Sequence, residues 1–117
     1  MDILLTEHFK QNAHKLSRKF PHLKDDLFEA LDLFDEKKST YIGRSIYKIR
    51  VKSRDINKGK SGGLRCYIYC SVKADLLAPL CIYFKSEQES IAPSELEMHF
   101  DYGISELIAK FGFDFLQ

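Results

Sequence analysis

The sequence has 117 residues, 44% hydrophobic and 30% charged, with a net charge of +1, a composition that fits one globular domain and excludes a chain too polar to fold. It shows no secretory signal, and its longest apolar stretch, residues 76–84, contains Pro79 and is far shorter than the ~20 residues that a membrane span needs. The three cysteines are therefore expected to be reduced thiols, and the protein is expected to be soluble and cytoplasmic, with no membrane partner.

Two amphipathic helices are predicted in the first third of the chain. Apolar side chains recur at helical spacing in residues 7–19 and again in residues 23–36. Thr6 is the expected N-cap of the first helix, and Pro21 breaks the pattern between the two, so they should form a helical hairpin. Residues 3–5 are interpreted as a short strand that precedes the hairpin.

The middle of the chain changes to the alternating pattern of β-strands. Residues 46–54 and 64–72 alternate apolar with polar or aromatic side chains, and a glycine-rich connector, residues 55–63, joins them. A third strand ends at Lys85, and Pro79 predicts that this strand begins late or lies at an edge of the sheet. The outward row of the first strand is basic and comprises Lys48, Arg50, Lys52 and Arg54.

A last helix is predicted near the C-terminus. Ser94 and Glu97 have the spacing of a capping box, an apolar stripe follows, Gly103 weakens the helix, and Gly112 is a natural stop. The whole chain therefore predicts an α+β domain: an N-terminal helical hairpin packed on a small twisted antiparallel sheet, with a C-terminal helix.

Charge is distributed unevenly along the chain. Residues 44–65, here called the basic segment, hold eight basic residues against one acid, whereas the remainder holds ten basic and sixteen acidic residues. Such an asymmetry is typical of a surface that binds a polyanion, usually nucleic acid. The alternative is a solvated charged hairpin without a ligand.

The outward faces of the first two long strands favour single-stranded RNA as that polyanion. Alternate residues on a strand lie roughly 6.6 Å apart, close to the spacing of successive phosphates. Arg65 would join the basic row from the neighbouring strand, and Tyr67 and Tyr69 would offer rings on which unpaired bases stack. Alternatively, these two rings cover the sheet against the C-terminal helix.

Other chemistries fit the sequence poorly. Gly59-Lys60-Ser61 lacks the preceding glycine of a phosphate-binding loop, since that position is Arg54. Cys66 and Cys70 lie roughly 13 Å apart on a strand, too far to share a metal ion. Cleavage of RNA by its own 2′-hydroxyl needs no protein nucleophile, only cations at the phosphorus and groups that transfer protons.

Three motifs resemble the RelE/HigB toxin superfamily. They are Tyr47-Lys48-Ile49-Arg50-Val51-Lys52-Ser53, Lys58-Gly59-Lys60-Ser61-Gly62-Gly63-Leu64-Arg65 and Ile82-Tyr83-Phe84-Lys85-Ser86-Glu87. The resemblance implies a microbial RNase-like fold and the toxin of a toxin–antitoxin pair that cuts mRNA on the ribosome. It also implies a cognate antitoxin, often a small helix-turn-helix protein, and neither a metal nor a cofactor.

The resemblance and the strand pattern together give the candidate site residues. The catalytic candidates are Arg65, Lys85, Lys48, Arg50 and Tyr83, and the RNA-binding candidates are Lys52, Arg54, Lys58, Lys60, Tyr67 and Tyr69. Two positions depart from the RelE pattern, because Ser86 replaces an arginine and Ala92 stands where a tyrosine acts as the proposed general base. His99 and Tyr102 are further substitutes for that base. Two alternatives therefore stay open, a ParE-like inhibitor of gyrase and a non-catalytic RNA-binding homologue.

Overall fold

The computed structural model describes residues 1–56 and 63–114, which form three helices and a five-stranded sheet. The α+β class predicted from the sequence is confirmed. Within the described residues, no helix is both long and apolar enough to cross a bilayer. In chain order the elements are β1 (Asp2–Ile3), α1 (Glu7–Ser17), α2 (Leu23–Asp32), β2 (Thr40–Gly43), β3 (Ile46–Val51), β4 (Leu64–Ser71), β5 (Leu76–Phe84) and α3 (Pro93–Phe111).

The sheet is mixed, so the prediction of a purely antiparallel sheet is wrong. The strand order is β1-β5-β4-β3-β2, and β1 runs parallel to β5 while the other neighbours are antiparallel. Asp2 lies opposite Leu76 and Ile3 opposite Leu77, and the Leu4 N–H donates to the Leu77 carbonyl at 2.9 Å. A two-residue strand carries no periodicity that could reveal its direction.

The strand β2 was not predicted, because its four residues are mostly exposed and carry no alternating pattern. The turn that joins it to β3 places Arg44 and Ser45 in the left-handed region, with φ of 55° and 63°. The pairing of β2 with β3 extends only as far as Thr40 opposite Lys48. The second half of β3 is therefore not covered by another strand on that side.

Pro79 does not place β5 at an edge, nor does the strand begin late. β5 runs through the sheet between β1 and β4, and the pairing register shifts between Tyr67 and Ile68, where Ile68 lies opposite Pro79. Such a bulge accommodates a residue that has no N–H to donate. Farther along β5, the Ile82 N–H donates to the Asn12 side-chain oxygen at 2.8 Å, so α1 satisfies a group that no strand reaches.

The helices pack on both faces of the sheet. α1 and α2 cover the face that carries Leu64 and Ile68, whereas α3 covers the opposite face around Tyr69. Both N-terminal helices end earlier than predicted, at Ser17 and Asp32. The sheet therefore separates two apolar layers, and the residues of β4 alternate between them.

The helix termini test the predicted caps. The Phe9 N–H donates to the Thr6 hydroxyl at 3.1 Å, which confirms the N-cap of α1. The predicted capping box is wrong, because α3 begins at Pro93 and no side chain caps its N-terminus. Proline is common at the first helical position, where its missing N–H would have no partner within the helix. Gly112 ends α3 with φ of 78°, as predicted.

Candidate functional site: a cationic cavity at the edge of β3

Two basic residues and a tyrosine lie side by side across three strands. Arg50 on β3 pairs with Arg65 on β4, and Arg65 pairs with Tyr83 on β5. The next row, two residues along, places Lys48 beside Tyr67. Because side chains alternate along a strand, both rows point to the face that α3 covers farther along the sheet.

A cavity of about 580 Å³ opens between this face, the uncovered part of β3 and the segment that joins α2 to β2. Lys85 follows β5 and reaches the cavity, and its backbone N–H donates to the Gly63 carbonyl at 3.1 Å. The basic residues that line the cavity are Lys38, Lys48, Arg50, Arg65 and Lys85. Four of the five catalytic candidates thus line one cavity, and Tyr83 adjoins it through Arg65.

Arg65 is the most enclosed of these cations, with 6% of its surface exposed. Its Nη1 donates to the Leu64 carbonyl at 3.2 Å. Burial, and then the charge of Arg50, lower the pKa of the Arg65 guanidinium, although arginine still stays charged at neutral pH. Arg65 is largely withdrawn from water while Arg50 beside it is exposed, and an anion that binds between them gains from both charges, most from the less screened Arg65.

A glycine beside Arg65 fits a tight backbone approach. Gly63 has φ of 62°, and a Cβ at this position would lie 3.3 Å from the Val51 carbonyl oxygen and 3.9 Å from the Arg65 Nη1. A side chain here would strain the backbone and crowd the start of β4. The glycine that precedes Leu64-Arg65 in the sequence motif therefore has a local structural reason.

Tyr83 presents a buried hydroxyl next to Arg65. Only 6% of Tyr83 is exposed, and its hydroxyl is buried beside the side chain of Tyr67. Burial, followed by the neighbouring Tyr67, raises the pKa of Tyr83 to about 12. At neutral pH this hydroxyl keeps its proton, so it is suited to donate a hydrogen bond and poorly suited to act as a base.

Tyr67 and Tyr69 do not form an exposed stacking surface. Their exposed fractions are 6% and 2%, and the Tyr69 ring meets Phe100 of α3 edge-on at 6.1 Å. Tyr67 stacks on Tyr83, with Lys48 Nζ 5.7 Å from its ring centre. The alternative in which the rings lie between the sheet and the C-terminal helix describes their position, and in this arrangement neither can stack on a base.

The basic row is shorter than predicted. β3 ends at Val51, so Lys52 lies exposed just beyond the strand and Arg54 has left the sheet. Arg54 Nε lies 2.8 Å from the buried carboxylate of Asp26, and its Nη2 lies 3.7 Å from Glu29. The placement of Arg54 in the row is therefore wrong, because two acids of α2 hold it on the other side. Lys58 and Lys60 lie outside the described residues.

One wall of the cavity was not predicted. Lys38 and Asp35 come from residues 33–39, part of which the sequence pattern assigned to the second helix. Their approach to Arg50 and Lys85 results from packing between distant parts of the chain. No local motif signals it.

His99, the substitute base on α3, lies elsewhere. Its Nδ1 is 2.7 Å from Nε2 of His8 on α1, and its Nε2 is 3.7 Å from Glu95. The His8 ring also stacks on Tyr102 at 4.8 Å. These groups join α3 to α1, and none of them lines the cationic cavity.

The histidine pair predicts a loss of stability in acid. Burial, and then His8, lower the pKa of His99, although Glu95 opposes this. The unfolded chain therefore binds a proton more readily than the folded one. Neutral His99 therefore contributes to the free energy of unfolding above the ordinary histidine pKa of about 6.5. This contribution is lost as the pH falls from there through the lower pKa of His99 in the folded protein. Urea unfolding between about pH 7.5 and 5 should show this decline, and it should be shallower in His99→Gln.

His14→Gln, a change on the exposed side of α1, is the matched control and should leave the decline unchanged. A pH dependence identical in wild type and His99→Gln would contradict the assignment to His99.

The comparisons with known proteins give no family. No protein-family model matches the chain, and no curated protein matches it. The resemblance to the RelE/HigB superfamily therefore rests on the three sequence motifs.

Proposed function

We propose that the protein is a RelE/HigB-like toxin, a ribosome-dependent endoribonuclease that cuts mRNA and so inhibits translation in the cytoplasm. The observation that carries the proposal is the cavity in which Lys48, Arg50, Arg65 and Lys85 converge. These residues come from all three motifs, and they meet although the chain separates them widely. The α+β fold, with a helical hairpin on one sheet face, agrees with a RelE-like architecture.

The cavity has cations and a proton donor of the kind that metal-independent cleavage of RNA needs. When the 2′-oxygen attacks phosphorus, negative charge builds up on the phosphoryl oxygens, and fixed cations stabilise it most where water is scarce. Under this proposal, Arg65 and the neighbouring Arg50 have that role. Lys85 carries protons that it can donate to the leaving 5′-oxygen, and Tyr83 lies next to Arg65 in the sheet without lining the cavity.

The protein's partners under this proposal are the ribosome, mRNA and a cognate antitoxin, expected to be a small helix-turn-helix protein. An inhibitor must neutralise the cations of the cavity, so it should present an acidic segment there or at its flank. Co-expression of such a partner should restore growth and yield a stable complex.

A non-catalytic homologue is the second candidate, since Ser86 and Ala92 replace two RelE catalytic groups. Ser86 is exposed after β5, and Ala92 is the N-cap of α3. Neither position supplies a proton acceptor. Only a measurement of cleavage therefore distinguishes a non-catalytic homologue from an active ribonuclease.

Purified protein should be added to a translation reaction programmed with one defined mRNA, and the new RNA ends mapped. Cuts in the codon at the ribosomal A site, absent with naked mRNA, are the expected result. Intact mRNA with gyrase-dependent DNA breaks would favour a ParE-like inhibitor, and neither effect would favour the non-catalytic candidate. Arg50→Ala combined with Arg65→Ala is the inactive control.

A further inference from the structure

The cationic cavity contains one carboxylate among the lining residues that the structure describes. Asp35 belongs to the segment that joins α2 to β2, and it lines the cavity together with Arg50, Arg65 and Lys85. The proposed reaction requires a group that accepts the 2′-hydroxyl proton, and the resemblance leaves that group unassigned. Asp35 is the one carboxylate among these described lining residues that could take that proton.

Three hydrogen bonds hold Asp35 in place. The Lys37 N–H donates to Asp35 Oδ1 at 2.9 Å, which fixes the side chain in a local turn. The Lys38 N–H and the Ser39 hydroxyl donate to the Asp35 carbonyl at 3.0 and 2.8 Å. None of these three hydrogen bonds uses Oδ2, and the one to Oδ1 orients the carboxylate before substrate arrives, as efficient proton transfer requires.

The carboxylate of Asp35 is not paired with any of the cations that line the cavity in the described residues. It forms no salt bridge within residues 1–56 and 63–114, although lysines and arginines line the same cavity. By contrast, Asp26 of α2 is committed to Arg54 at 2.8 Å. Asp35 therefore retains an oxygen that can accept a proton.

The other groups near the cavity are poor proton acceptors. Arginine does not give up its proton in proteins, so Arg50 and Arg65 cannot serve. The Tyr83 hydroxyl, with its raised pKa, holds its own proton. His99 is engaged with His8 at 2.7 Å and lies away from the cavity.

We propose that Asp35 is the general base of this site, the group that accepts the proton from the 2′-hydroxyl of the RNA; this inference rests on the proposed ribonuclease function. The O–H bond at the 2′ position breaks and its proton passes to Asp35, while the 2′-oxygen forms a bond to phosphorus. The bond from phosphorus to the 5′-oxygen then breaks, and Lys85 gives that oxygen a proton.

The products are a 2′,3′-cyclic phosphate and a 5′-hydroxyl. Asp35 returns its proton to water and Lys85 takes one from water, so the site is regenerated without any oxidant, reductant or metal. The assignment therefore predicts the chemical form of both RNA ends, and end-labelling of the cleaved mRNA can check it.

The decisive variant is Asp35→Asn. Asparagine keeps an oxygen that can accept the Lys37 N–H, so the turn is preserved, and only the ability to take a proton is removed. Under single-turnover conditions with saturating protein, cleavage of ribosome-bound mRNA should slow by ~100-fold or more, the usual scale for loss of a general base. Binding of the variant to programmed ribosomes should stay within about twofold of wild type, because a general base acts in the transition state and not in the binding of the substrate.

Asp32→Asn is the matched control, since Asp32 is an exposed acid at the end of α2 and does not line the cavity. It should cleave at the wild-type rate. In Asp35→Ala, added formate should restore part of the lost rate, because a small carboxylate can occupy the vacated position.

The outcomes separate the two proposals. Wild-type cleavage with undiminished cleavage by Asp35→Asn would overturn the general-base assignment and leave the ribonuclease function standing. A loss of cleavage matched by an equal loss of ribosome binding would also overturn the assignment, because it would make Asp35 a binding residue. Absence of cleavage by wild type would overturn both.

Discussion

Replacing Lys85 with alanine is expected to slow cleavage of ribosome-bound mRNA by ~100-fold or more, while binding to ribosomes is largely kept. Lys85 lines the cavity next to the arginine pair, at the end of the strand that carries Tyr83. In the proposed mechanism it protonates the leaving oxygen, a contribution made mainly in the transition state. Single-turnover cleavage and a separate ribosome-binding measurement distinguish the two effects.

Lys85→Arg tests whether the lysine acts through its proton or its charge. Arginine keeps the charge but does not readily release a proton, so retained cleavage in this variant would assign Lys85 to charge stabilisation. His99→Ala is the companion variant. If it abolished cleavage while Lys85→Ala did not, proton transfer would belong to α3 and the assignment made here would be wrong.

Arg65→Ala is expected to abolish growth inhibition and to lower mRNA cleavage by 10²–10³-fold, roughly the effect of removing one preorganised transition-state donor. Arg65 is enclosed beside Arg50 and Tyr83, where a phosphate would lose its water and gain a guanidinium that binds it through two hydrogen bonds. Growth assays and single-turnover cleavage give the two measurements.

Because Arg65 is buried, its removal can also affect the fold, so the unfolding transition of Arg65→Ala must be measured alongside its activity. Arg65→Lys keeps the charge and should recover only part of the rate, since lysine lacks the planar pair of donors. Lys15→Ala, at an exposed position on α1 that does not line the cavity, is the control and should change cleavage little. A folded Arg65→Ala with wild-type cleavage would exclude Arg65 from the site.

Alternation along the strands made part of the site predictable. The two-residue period placed Arg50 on the outward face of one strand and Arg65 on the outward face of the next strand. The structure pairs these two residues. The same period was extended too far at Arg54, because the pattern does not show where a strand ends. There, a buried acid on α2 competes successfully for the arginine.

The strand pattern alone did not show whether the face that carries Tyr67 and Tyr69 is buried. Tyr67 and Tyr69 alternate with apolar residues and so resemble a solvent-facing row, yet α3 packs over their face and encloses them. A Cβ on Gly103 of α3 would lie 3.1 Å from a Leu80 methyl group, so glycine allows a close approach of the helix. The sequence showed this glycine only as a weakness in the helix, since its partner is distant in the chain.

Asp35 lay outside any sequence motif for a related reason. It has the pattern of a helix C-terminus, and its membership of the cavity depends on how α2 packs beside the uncovered half of β3. Short-range sequence patterns therefore identified the cations of the site, whereas the carboxylate of Asp35 could be identified only from the three-dimensional structure.

The pairing of β1 with β5 has a consequence for the order in which the chain acquires its shape during synthesis. Asp2 and Ile3 cannot pair until Leu76 and Leu77 have been made, and the cavity is incomplete until Lys85 follows. Contacts so distant in sequence form late, after the chain has left the ribosomal exit tunnel. A nascent chain that has not yet reached Leu76 therefore carries Arg50 and Arg65 without the cavity that they later share with Lys85.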